Sequence, residues 1–250
     1  MASGAARLCF LAGFRVVVLE QEWPLAVRRP VCFAEAVLCG AASVEGVRGE
    51  AVPLERLGAV RPSFVEVVVD PEGRAVRLLR PDALVDARMA KAAGDTRREQ
   101  APVVIGLGPG FEAGRDVHAV VETQRGLFLG RVLWSGAAEA DTRVPSPVLG
   151  VTEARVLRAP RGGRFRSARA IGDLVDAQDI VGDVDGAQVR AGVSGLLRGL
   201  VADGVVLREG GKLGDVDPRG RLVDPAVVSD KARAVAAGVL EAILVGAARL

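Results

Sequence analysis

One segment combines glycines with side chains that could do chemistry. A short apolar run, residues 102–105, leads into a loop in which glycines surround a proline, and polar residues follow within a few positions. Glycine lets backbone N–H groups approach an anion closely, which suits phosphate binding. The alternative is a tight turn that requires positive φ angles. We predict that a cofactor-binding site here is formed by Gly106, Gly108, Gly110, Gly114, Asp116, Thr123 and Arg125.

His118 and Glu122 are the candidate catalytic pair in this segment. The ordinary pKa of histidine, about 6.5, allows His118 to carry a proton near neutral pH. On a strand, residues 118, 120 and 122 share one face, so Glu122 could orient the imidazole. The alternative is that His118 is a structural residue without a chemical role.

Two further candidates lie near the start of the chain. The apolar run at 14–19 ends at Glu20 and follows a helix-compatible stretch, as in the second half of a βαβ unit. In a dinucleotide-binding fold, an acidic residue at this point faces the ribose, so Glu20 is a candidate binding residue. Arg28 and Arg29 follow Pro24, which can open a helix, and they either hold a phosphate or form a solvated pair.

Composition excludes several classes of site and partner. The chain has one His, and Cys9, Cys32 and Cys39 lack the paired CxxC spacing of a zinc or iron–sulfur site, so no metal ligand is predicted. Lys and Arg number 33 against 31 Asp and Glu, without blocks of like charge, which argues against nucleic-acid or anionic-membrane partners. No apolar run reaches the roughly 18–20 residues of a membrane span. We therefore predict a cytoplasmic protein, a location that sparse cysteines also fit.

The positions of these candidates predict two domains. Residues 1–95 are expected to form a Rossmann-like α/β domain whose first strand and Gly-rich turn would precede Met1, so that the domain is N-terminally truncated. The alternative is a smaller sheet that begins with a helix. Residues 81–93, which contain Asp86, Arg88 and Lys91, are predicted as a helix, and 94–100 as a linker.

The second predicted domain, residues 101–250, is β-rich. Short strands with Gly and Asp turns predict a barrel-sandwich-like module at about 160–218. A helix at about 229–249 follows, with Ser229 as its N-cap. Polar residues flank the end of the module, and they either meet the Gly106 loop across a cleft or lie apart from it: Asp215, Asp217, Arg219, Asp230 and Lys231.

The loop at 104–126 resembles that of the selenium-dependent molybdenum hydroxylase system proteins, which are related to xanthine dehydrogenase accessory factors. Further family-like segments are spread along nearly the whole chain: 1–4, 24–29, 85–91, 129–132, 156–160, 195–199, 212–220 and 229–244. Two features depart from the family pattern. The usual Gly-x-Gly turn before Met1 is missing, and Leu127 stands where a second His is usual.

This resemblance implies an accessory role in the maturation or cofactor insertion of a selenium-dependent, xanthine dehydrogenase-like molybdenum hydroxylase. It implies as partners the hydroxylase apoenzyme and other maturation factors, while a homo-oligomer stays open. The ligand would be the pterin molybdenum cofactor or a nucleotide. The module also resembles biotinyl and lipoyl domains, but its hairpin at 183–187 has no lysine, so no covalent lipoyl or biotin is expected.

Two other functions stay open at this point. One is a nucleotide- or NAD(P)-dependent enzyme that uses the N-terminal half and His118. The other is a docking protein without chemistry of its own.

Overall fold

The computed structural model describes residues 1–58, 62–90, 94–142 and 144–249. Within these ranges the α-helices are α1 (Ala2–Leu11), α2 (Glu35–Cys39), α3 (Arg74–Leu79) and α4 (Asp230–Ala247). In these ranges, no helix combines the length and the hydropathy needed to cross a bilayer. The predicted N-cap of α4 is confirmed, since Ser229 Oγ accepts the Ala232 N–H at 3.2 Å.

The first sheet is mixed. Its strands are β1 (Val17–Glu20), β2 (Ala41–Val44), β3 (Val47–Ala51) and β4 (Val65–Val69), in the order β1-β4-β3-β2. β4 is parallel to both neighbours, whereas β2 and β3 form an antiparallel hairpin. The hairpin turns at Glu45 and Gly46, both at positive φ, as a two-residue turn between twisted strands requires.

The second sheet carries most of the predicted site. Its strands are β5 (Ala83–Asp86), β6 (Val103–Leu107), β8 (Ala119–Val121) and β9 (Val132–Leu133), in the order β5-β6-β8-β9. β5, β6 and β8 run parallel. Two short strands, β7 (Glu112–Ala113) and β10 (Gly136–Ala137), pair separately beside it.

Helix α4 covers the second sheet and runs opposite to its parallel strands. Gly246, near the helix end, contacts Val103 at the start of β6, while Gly238 contacts Val121 at the end of β8. Glycine permits this close approach because a Cβ at either position would meet the valine side chain. The N-terminus of α4 therefore lies at the carboxyl edge of β6 and β8. Helix α1 packs beside the same end of α4, with Gly4 against Ala232.

Eight strands form two antiparallel four-stranded sheets in the C-terminal part. The first has the order β11-β18-β16-β13 and the second β15-β14-β12-β17. Both sheets contribute to one core that includes Phe165, Leu197 and Leu213. The strands are β11 (Val156–Arg158), β12 (Gly163–Ser167), β13 (Leu174–Val175), β14 (Ile180–Val184), β15 (Ala187–Arg190), β16 (Gly195–Leu200), β17 (Val206–Leu207) and β18 (Lys212–Asp217).

The predicted fold, a Rossmann-like α/β half joined to a β-rich half with a barrel-sandwich-like module, is wrong. A Rossmann half requires parallel strands that alternate with covering helices. Here the first sheet contains an antiparallel hairpin, and α2 and α3 are only five and six residues long. The molecule is an assembly of mixed and antiparallel sheets with few helices.

The prediction of a helix at 81–93 is also wrong over residues 81–90, the part of this range that the structure describes. Ala83–Asp86 pairs with β6 as a strand because these residues gain a ladder of hydrogen bonds on a buried sheet. Residues 91–93, with Lys91, lie outside the described residues. The predicted domains, 1–95 and 101–250, stay a prediction, although β5 and β6 pair across the predicted linker.

Candidate functional site

The loop after β8 is ordered by a buried carboxylate. Glu122 is 2% exposed, and its two oxygens accept the N–H groups of Gln124 at 2.6 Å and Glu139 at 2.7 Å. Thr123 is also buried and lies against Gly108, where a Cβ would collide with its hydroxyl. These contacts fix the backbone that carries the next charged residue, Arg125.

Arg125 forms a two-pronged ion pair with the first residue of α4. Its two terminal nitrogens lie 2.6 Å and 2.7 Å from the carboxylate oxygens of Asp230. Both side chains are solvent-accessible, with 41% and 72% of their surfaces exposed. The hydrogen bonds from Arg125 hold the pKa of Asp230 well below its usual range, so the carboxylate stays ionised.

Lys231 stands beside this pair and is partly buried. Burial lowers the pKa of its ammonium, and the nearby Arg125 lowers this pKa further. The carboxylates of Glu122, Asp141 and Asp230 act in the opposite direction. Lys231 is therefore a cation that has lost part of its hydration and has another cation next to it.

Arg219 approaches the same point from the end of β18. Its guanidinium donates to Asp217 at 2.7 Å and 2.9 Å, and its positive charge acts on both Arg125 and Asp230. Arg125, Arg219 and Lys231 together are called the cation cluster below. The cluster lies at the N-terminus of α4, where the helix dipole also favours an anion.

Behind the cluster, two buried carboxylates on β18 hold arginines from other segments. We call Arg28, Arg198, Asp215 and Asp217 the inner network. Asp217 accepts Arg198 at 3.2 Å, and Asp215 accepts Arg28 at 2.8 Å. Burial acts to raise the pKa of Asp217, but hydrogen bonds from the side chain and backbone of Arg219 outweigh it and lower the pKa to about 2.

Arg28 and Arg29 attach the N-terminal segment to the C-terminal sheets. Besides the Arg28–Asp215 pair, Arg29 donates to the Leu200 carbonyl at 3.0 Å and to Glu35 at 2.8 Å. The Leu200 N–H returns a bond to the Val27 carbonyl at 2.8 Å. Both arginines thus have protein partners, where a bound phosphate and a solvated pair were the predicted alternatives.

The predicted catalytic pair is not brought together. His118 precedes β8 and Glu122 follows it, so the two residues lie at opposite ends of the strand. His118 Nδ1 accepts the Val104 N–H at 3.0 Å, which requires a lone pair on that nitrogen. Burial and then the charge of Arg98 lower the pKa of the imidazole, which favours its neutral form. These contacts favour the structural alternative for His118.

Several backbone N–H groups of the glycine loop already donate hydrogen bonds to other residues of the protein. The Gly108 N–H donates to the Val121 carbonyl, the Gly114 N–H to Val117, and the Glu112 N–H to Asp116. Gly108, Gly110 and Gly114 have positive φ angles, and a Cβ at Gly106 would collide with the Phe111 ring. The geometry favours the turn alternative over a phosphate cradle at this loop.

Two acidic residues each end the first strand of a different sheet. Glu20 closes β1 on the first sheet, where burial raises the pKa of its carboxyl and the Gln21 N–H donates to it at 2.8 Å. Asp86 closes β5 beside Gly106 and is held by Arg88 at 2.6 Å and Thr96 at 2.5 Å. The carboxylate of Asp86 is thus held by side-chain hydrogen bonds from Arg88 and Thr96. In Glu20, the Gln21 N–H donates to only one of the two carboxyl oxygens.

The hypothesis of a cleft at the Gly106 loop stays a prediction, because the Arg125–Asp230 pair joins the segment after β8, and not the glycine loop itself, to the polar residues that flank the β-rich part. The candidate site is centred on Arg125, whereas the prediction was centred on the glycines. Arg198 was missed. Arg198 lies on β16, which pairs with β18, so its contact with Asp217 could have been predicted only if that strand pairing had been known.

No protein-family model matches the chain. The chain is 44% identical over 246 residues to the uncharacterized protein YqeB of Escherichia coli K12, with 98% of this chain and 46% of that protein covered. It therefore spans about half the length of this curated relative.

Comparison of the chain with solved structures finds similar ones at low TM-scores. For a succinylglutamate desuccinylase/aspartoacylase of Rhodobacter sphaeroides the TM-score is 0.26, with 13% identity and coverage of 80% of this chain and 83% of that one. For the ectoine utilization protein EutE (DoeB) of Ruegeria pomeroyi, in a product-bound structure, it is 0.24, with 12% identity and coverage of 80% and 84%.

Proposed function

We propose that the chain is part of an accessory protein for the maturation or cofactor insertion of a selenium-dependent molybdenum hydroxylase, and that it binds a phosphate-bearing ligand at the cation cluster. The convergence of Arg125, Arg219 and Lys231 at the start of α4 carries this proposal. The family-like motifs along the chain support the maturation role. They also support the hydroxylase apoenzyme and other maturation factors as partners, in the cytoplasm.

The electrostatics of the cluster favour an added anion. Like charges repel between Arg125 and Arg219 and between Arg125 and Lys231. Asp217 and Asp230 pair with Arg219 and Arg125, and the carboxylates of Glu122 and Asp141 act on Lys231, so part of this charge is already compensated. A phosphate group carries close to two negative charges at neutral pH, and arginines bind it through paired hydrogen bonds. Lys231, already partly dehydrated, loses less hydration on contact with the ligand than an exposed lysine would.

The ligand would be the pterin molybdenum cofactor or a nucleotide, since both carry phosphate. For either, the residues that bind are Arg125, Arg219 and Lys231, with Glu122 and Thr123 holding the loop in place. We assign no proton transfer to His118, whose Nδ1 is already occupied by the Val104 N–H.

The test is genetic and uses the full-length protein in its native host. A strain without the gene is expected to lose hydroxylase activity while basal cofactor synthesis stays normal. Full hydroxylase activity in that strain would refute the maturation role. Complementation with the double variant R125A/K231A is expected to fail, whereas R131A, which removes an exposed arginine six residues along the same loop, is expected to restore activity.

A nucleotide- or NAD(P)-dependent enzyme is the second candidate, and Glu20 favours it. Its carboxyl closes β1, burial raises its pKa, and one of its oxygens has no bond to the Gln21 N–H. Titration with NADH and ATP tests it. Binding that is lost in E20Q and kept in the exposed control E22Q would support an enzyme of this class.

A further inference from the structure

The Arg125–Asp230 pair occupies the place where the proposed ligand would bind. Asp230 presents both oxygens to Arg125 at 2.6 Å and 2.7 Å, which is the two-pronged geometry that a phosphate adopts with arginine. The charge of Arg198 also acts on this carboxylate, and the carboxylate acts on Arg219 and Lys231. Asp230 therefore contacts or faces each member of the cation cluster.

The N-cap of α4 does not depend on the carboxylate of Asp230. The N-cap of α4 is provided by Ser229, whose Oγ accepts the Ala232 N–H. The side chain is 72% exposed, so it contributes little to the core, and an exposed ion pair stabilises a fold by only a small amount. An amide at position 230 keeps the size of the side chain and is tolerated in the first turn of a helix.

We propose that Asp230 is a built-in competing anion that holds Arg125 when the site is empty and leaves it when a phosphate group binds. This inference rests on the proposed phosphate site and adds a basis for selecting ligands by their negative charge. A ligand must bring more negative charge than the single carboxylate it replaces. Groups with two or more negative charges therefore displace Asp230, while singly charged anions do not gain enough from the exchange.

Calorimetric titration of the chain with inorganic pyrophosphate tests this exchange. D230N is expected to bind pyrophosphate about tenfold more tightly than the wild type, a difference of one decade in Kd. D230E, which restores a carboxylate, is expected to return to within about threefold of the wild-type affinity. E241Q removes one negative charge from an exposed position on the same helix and serves as the matched control for net charge.

The outcomes separate this inference from the proposal on which it rests. Equal affinity of wild type and D230N, or equal tightening in D230N and E241Q, would overturn the competing role of Asp230 while the phosphate site stands. Absence of pyrophosphate binding in every variant would overturn both. Circular dichroism of D230N is expected to match the wild type, because Ser229 still caps the helix.

Discussion

The inner network and the cation cluster are joined by the Arg219–Asp217 pair, yet they differ in their contact with water. The side chains of Asp215 and Asp217 are 3% and 4% exposed, whereas Asp230 is 72% exposed. A buried carboxylate that loses its arginine becomes an uncompensated charge, while an exposed one is rehydrated. The inner network is therefore suited to holding segments together, and the cation cluster to exchanging partners.

The largest effect is expected at the centre of the inner network. D217N leaves Arg198 and Arg219 without their shared carboxylate, and we expect the free energy of unfolding to fall by about 3–5 kcal/mol. Urea denaturation measures it. D230N is the comparison variant and should cost less than about 1 kcal/mol. Similar losses for the two variants would remove the distinction between the regions.

A somewhat smaller effect is expected where the N-terminal segment attaches. R28A leaves the buried Asp215 with Lys212 alone, at 3.4 Å, so we expect a loss of about 2–3 kcal/mol in the free energy of unfolding. R48A removes a solvent-exposed arginine paired with Glu50 and should change stability by less than about 1 kcal/mol. A loss in R28A no larger than in R48A would contradict the attachment role.

The low pKa of Asp217 predicts a pH dependence of stability. Because the pKa falls from its unfolded value of 3.8 to about 2 on folding, the carboxylate contributes its full stabilisation above about pH 4. That contribution, about 2 kcal/mol, is lost as the pH falls through about 2. The stability difference between wild type and D217N should therefore shrink over this acid range. A difference that is constant from pH 5 to pH 2 would exclude this pKa.

The smallest effect on stability is expected in the cation cluster itself. R125A breaks an exposed ion pair and should change the free energy of unfolding by less than about 1 kcal/mol. Its affinity for pyrophosphate should nevertheless fall about tenfold, since a two-pronged contact is lost. Denaturation and calorimetry on the same sample measure both quantities. A large loss of stability would place Arg125 with the inner network instead.

Some features of the fold follow from local sequence. Ser229 before the helical pattern of α4 predicts its start, because a serine hydroxyl can accept a free N–H of the first turn. The apolar run before Glu20 likewise predicts β1, whose bounds are Val17–Glu20. The helix predicted at 81–93 failed because a short apolar run fits either a strand or a helix until its neighbours are known.

The residue types of the site were also visible in the sequence, and their roles were not. Arg125 and Glu122 were predicted site residues, but only the fold separates the hydrogen-bonded Glu122 from the exposed Arg125. The glycines at 106–114 carried both interpretations, a phosphate cradle and a turn. Their N–H partners, which favour the turn, are carbonyls and a carboxylate that lie nearby only after folding.

The sequence by itself determined what depends on neighbours along the chain: the N-cap of α4, the near-balance of charge and the chemical types available for a site. The tertiary structure decided which charges meet. Arg125 and Asp230 are 105 positions apart, and Arg28 and Asp215 are 187 apart, so their pairing depends on which sheet edges come together. Ion pairing acts over a few ångströms, and only the folded backbone sets those distances.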